Sequence, residues 1–77
     1  MNREISEEVL AVMAEVYEKL NGSLYRVRET CPEDEYKKYQ EEISKLMSDM
    51  YFGVMRPIHE AHPELEPEAL KQSRLPQ

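Results

Sequence analysis

Two long apolar stripes in helical register, parted by Thr30-Cys31-Pro32-Glu33, set the limits on what this chain can fold into. The first passes through Ile5, Val9, Val12, Met13, Val16, Tyr17, Leu20, Leu24, Val27 and Cys31. At about 100° per residue these positions share roughly 160° of one helix face, and Glu7, Glu8, Glu15, Glu18, Lys19, Arg26 and Glu29 take the other side. The second stripe runs through Tyr36, Tyr39, Ile43, Leu46, Met47, Met50, Tyr51, Val54 and Ile58. Glu33 with Lys37, Asp34 with Lys38 and Glu41 with Lys45 are oppositely charged pairs one helical turn apart on its outer face.

Local chemistry predicts where these helices start and stop. Ser6 is placed to cap the first, with Glu7 and Glu8 facing the positive end of the macrodipole and Ile5 and Leu10 spaced as a hydrophobic staple. Asn21-Gly22 could end it, but the apolar phase passes through the pair unbroken, which predicts one continuous helix that tolerates an internal glycine at about 1 kcal/mol. Thr30 and Glu33 have capping-box spacing, and Pro32 suits a first turn. So short a connection forces the two helices antiparallel, as an αα-hairpin with arms about 35 to 40 Å long.

Beyond Met55 the pattern fails. Pro57 lacks a backbone N–H and would crowd the Gly53 carbonyl, which predicts a kink or an end to the second arm. The reading is therefore a single domain with a hairpin over residues 1–56 and a proline-punctuated extension over 57–77, including a short helix from Pro67 to about Gln72 and a loose end.

A chain of 77 residues buries a modest fraction of its surface and needs a supplement to its core. Disulfides cannot provide it, because Cys31 is the only cysteine, a usage that also points to a reducing compartment. Both stripes are wider than the two-in-seven seam of a coiled coil, and the sparse Ile58, Leu65, Leu70 and Leu75 of the extension cannot cover them. A second copy is the most economical cover. The expected fold is all-α: a homodimer of antiparallel hairpins, each with a short C-terminal helix or tail, forming a four-helix bundle.

Charge and motif content narrow the function mainly by exclusion. A formal net charge of -6, with the lysines interleaved among carboxylates, argues against a nucleic-acid interface. No apolar run is long enough to span a bilayer, and the charged opening MNREISEE lacks a signal peptide's apolar stretch, so a soluble cytoplasmic protein is expected. Phe52 and Tyr25 lie off the stripes and, with Met55 and Ile58, are candidate contact residues; the alternative for Phe52 is packing under the returning tail. Four methionines within or beside the stripes, Met13, Met47, Met50 and Met55, suit either a plain core or an adaptable surface.

His59 and His62 are weak candidate metal ligands. HEAH does not match the two-histidine zinc string, and Pro63 draws His62 out of helical geometry, so neither metal nor cofactor is expected. Glu33, Asp34 and Glu35 oppose thiolate formation at Cys31. No phosphate-cradling loop or nucleophile with a matched base is legible. The expected role is regulatory or adaptor work through protein–protein interaction rather than catalysis. The alternative is a small helical enzyme or ligand-binding protein with an inter-helix pocket near Arg28, Gln40 and Arg56.

Overall fold

The computed structural model describes residues 1–70. Helix α1 spans Arg3–Thr30 without interruption, so Gly22 is an exposed residue of a continuous helix, as the unbroken phase requires. Its cap is Asn2, whose Oδ1 accepts the Ile5 N–H at 2.8 Å. The expected Ser6 cap is therefore corrected: asparagine, an equally good capping residue, lies one turn earlier, and Ser6 sits inside the helix with its side chain fully buried.

Cys31 and Pro32 make the turn into α2, Glu33–Met50. The expected capping box does not form, because Thr30 is the last residue of α1 and its hydroxyl donates to the Arg26 carbonyl at 2.6 Å. Pro32 enters α2 with no side-chain cap, and Glu33, Asp34 and Glu35 supply the negative charge that its exposed N–H groups favour. Helices α1 and α2 pack as the two arms of a hairpin. Tyr17 reaches across it, donating its hydroxyl to the Met47 carbonyl at 2.7 Å.

Pro57 does not end the second arm. The backbone widens into a π-helical turn over Tyr51–Met55, in which the Arg56 N–H donates to the Tyr51 carbonyl five residues back, and then resumes as α3, Arg56–Ala61. In α geometry Pro57 would have no N–H for the Gly53 carbonyl and its ring would press on that carbonyl; one residue of extra slack removes the clash without breaking the helix. His62 breaks the run at φ -133°, a short 3-10 turn follows over Pro63–Leu65, and a new turn begins where the Leu70 N–H donates to the Pro67 carbonyl at 3.0 Å. The rest of the short helix expected to about Gln72, together with Leu75 and the loose end, lies outside the described residues. Every described element is a helix or turn, so the chain is all-α.

The molecule measures 43 × 33 × 17 Å. Among the described residues, Ile43 and Ile58 are the only buried apolar side chains.

Candidate interaction face

Helical phase identifies which face is open. On α1, Ile5, Val9, Val12 and Val16 share a sector of about 60°, beside the sector of Leu10, Met13, Tyr17, Leu20 and Leu24. On α2, Tyr39, Ile43, Leu46 and Met50 share a similar sector. Ser23 falls five whole turns after Ile5 and so belongs to the Ile5 sector. Its Oγ lies 2.7 Å from the Tyr39 hydroxyl and 2.7 Å from the Leu20 carbonyl. A serine hydroxyl has one proton; when it goes to Leu20, Tyr39 must donate to Ser23. This contact places the two sectors on the same face of the hairpin.

That face is apolar and uncovered. Val12 is 53% and Leu46 46% exposed, Ile5 and Val54 are also exposed, and Val9, Val16 and Met50 are half-buried. The C-terminal extension returns past the opposite flank of α1. There His62 Nε2 lies 3.1 Å from the Met1 carbonyl, and Arg3 Nε 3.9 Å from Glu64 Oε1.

Beside that return lies the least expected feature of the molecule. His59 Nδ1 faces Glu66 Oε2 at 3.7 Å, and both side chains are only 2% exposed. The separation exceeds hydrogen-bond reach. His59 is four residues after Met55 and eight after Tyr51, so it continues one edge of the second stripe; that spacing is the signal by which its burial could have been read. The buried Ser6 had a similar signal, since it precedes Leu24 by five whole turns. Its Oγ has no hydrogen-bond partner among the described residues.

A groove of about 360 Å³ lies beside the tail's return, lined by Met1, Ser6, Gly53, Val54, Pro57, Ile58 and Ala61. Val54 is exposed there and Ser6 fully buried.

The residues singled out from the sequence are scattered over this frame. Tyr25 is 65% and Phe52 60% exposed, so Phe52 is not packed under the described part of the tail. Its ring meets Tyr51 edge-on at 5.0 Å and lies 5.8 Å from the Arg56 guanidinium. Met55 is half-buried and Ile58 is buried within the fold. Arg28, Gln40 and Arg56 are all exposed. Gln40 and Arg56 are separated by sixteen residues of nearly continuous helix, about 24 Å, so the three do not line a common pocket. Arg56 instead pairs with Glu60 at 3.1 Å. His59 and His62 face different carboxylates, Glu66 and Glu64, and no group of three or more potential metal ligands is found among the described residues.

One hydroxyl is electrostatically distinctive. Burial, and secondarily the neighbouring Tyr51 phenol, raise the Tyr17 pKa above its ordinary value of 10.0. Among the described residues no helix is long and apolar enough to cross a membrane. Compared with protein-family models, curated proteins and solved structures, the chain finds no match.

Proposed function

We propose that this protein works through protein–protein interaction, in a regulatory or adaptor role, as a helical hairpin that self-associates through its open face into a homodimeric four-helix bundle. One observation carries the reading: a chain with two buried apolar side chains among its described residues exposes Ile5, Val12 and Leu46 in neighbouring sectors of one face. A hairpin with so small a core gains little from its own contacts, and a second hairpin laid on that face would enlarge it.

Sedimentation equilibrium at micromolar concentration tests it. The expected mass is twice the 9.1 kDa of one chain, falling to one chain in the double variant Val12→Asp/Leu46→Asp. A wild-type protein that stays a compact, stably folded monomer overturns the reading.

A further inference from the structure

The groove beside the tail's return is built where the backbone departs from α geometry. Gly53 and Val54 come to it from the π-helical turn, Ile58 and Ala61 from α3, and Met1 and Ser6 from the beginning of the first arm. π-helical turns set into α-helices are frequent at functional sites. Gly53 adds to the opening, since a Cβ placed on it would meet no atom within 4 Å.

Ser6 is the one polar side chain of the lining, and its hydroxyl is the feature that fold stability does not explain. It is fully buried, and its Oγ has no hydrogen-bond partner among the described residues. An unpaired buried hydroxyl burdens the fold in a way that alanine would not, and this chain has little core to offset it. No charged side chain lines the groove, so a bound ion would lose its hydration without compensation. An apolar cavity of about 150 Å³ accommodates benzene. By that measure the groove's 360 Å³ has room for about two fused rings or a chain of similar bulk.

We infer that this groove binds an uncharged, mainly apolar small molecule of that size which carries one hydroxyl or carbonyl, and that Ser6 Oγ supplies the hydrogen bond that orients it. Apolar walls with a polar group placed among them are the usual make-up of small-molecule sites. The hydroxyl is closed to solvent, so the ligand reaches it by parting the walls, and the wall that yields is Met1, which lies outside α1 and is 72% exposed. The inference goes beyond the proposed function and does not rest on self-association.

The test uses three probes of one shape, 2-naphthol, 2-methylnaphthalene and 2-naphthoate, titrated into the wild type and Ser6→Ala and followed by methyl-resolved NMR. 2-Naphthol is expected to shift the methyl signals of Val54, Ile58 and Ala61 saturably and to leave Val27, about 31 Å further along α1 than Ser6, unmoved. The ratio of 2-naphthol to 2-methylnaphthalene affinity should fall about fivefold in Ser6→Ala, the worth of one hydrogen bond. 2-Naphthoate should bind at least about tenfold more weakly than 2-naphthol. Ser6→Ala should melt no lower than the wild type, because the hydroxyl it removes is unpaired in the fold. Absence of saturable shifts at the groove methyls, a ratio unchanged in Ser6→Ala, 2-naphthoate binding as tightly as 2-naphthol, or a Ser6→Ala protein that melts below the wild type overturns the inference.

Discussion

The two flanks of the hairpin solve the problem of burial in opposite ways. Past the tail flank the chain comes back on itself, and there the polar side chains of His59, Glu66 and Ser6 are buried along with Ile58. The other flank carries the apolar side chains, Ile5, Val12 and Leu46, and has nothing over it. The contrast is that the chain's own tail packs against one end of the hairpin, while Ile5, Val12 and Leu46 on the other flank stay exposed, which is why self-association is proposed there.

The largest expected effect falls on the tail flank. His59→Ala empties a site whose side chain is only 2% exposed, and should lower unfolding stability by about 3 kcal/mol in urea titrations at fixed protein concentration. His59→Leu, which refills that space, should recover part of the loss. If His59→Ala is as stable as the wild type, His59 does not hold the tail.

On the open flank, Val12→Asp should weaken self-association by about 2 kcal/mol or more, because a lone carboxylate would be drawn into an apolar contact. An equivalent charge at exposed Tyr25, off both sectors, should leave association within about 0.5 kcal/mol of wild type. Equal effects at both sites would abolish the distinction between the faces.

Between the flanks, Tyr17→Phe should cost about 1 kcal/mol through the lost bond to the Met47 carbonyl. The raised Tyr17 pKa adds a pH signature. The folded state holds this phenolic proton more tightly than the unfolded chain, so the contribution is complete below the ordinary value of 10.0 and is lost as pH rises through the higher folded value. In ultraviolet titration of the five tyrosines one should ionise after the others, and Tyr17→Phe should remove that late phase.

The smallest effect is a gain. Gly22 has open space where a Cβ would stand and lies within α1, so Gly22→Ala should add about 0.5 to 1 kcal/mol, seen as a rise of a few degrees in Tm. A loss would mean that Gly22 is packed in the assembly.

What was legible in the sequence is what periodicity controls. Both long helices, their sharp turn at Cys31-Pro32, the passage of α1 through Asn21-Gly22 and the outward aim of Tyr25 and Phe52 follow from apolar phase, which integrates many residues. Features decided by one or two residues were harder. Asn2 captured the cap expected of Ser6, Thr30 turned its hydroxyl inward to Arg26 instead of forward to α2, and a single π-helical turn let the backbone pass Pro57. Each choice lies within about 1 to 3 kcal/mol of its alternative, a margin that tertiary contacts readily override. The His59–Glu66 pair was hidden for a different reason. Its histidine could be placed on the second stripe, but its carboxylate arrives only after the helix breaks at His62 and a 3-10 turn runs over Pro63–Leu65, and no periodic signal spans such a break.

The most direct test of the central claim, that the flank carrying Val12 and Leu46 is a contact surface, is sedimentation equilibrium of the wild type beside Val12→Asp/Leu46→Asp. The account predicts a wild-type mass twice 9.1 kDa and a variant at one chain. A wild type that sediments as one chain, or a variant that associates as tightly as the wild type, contradicts it.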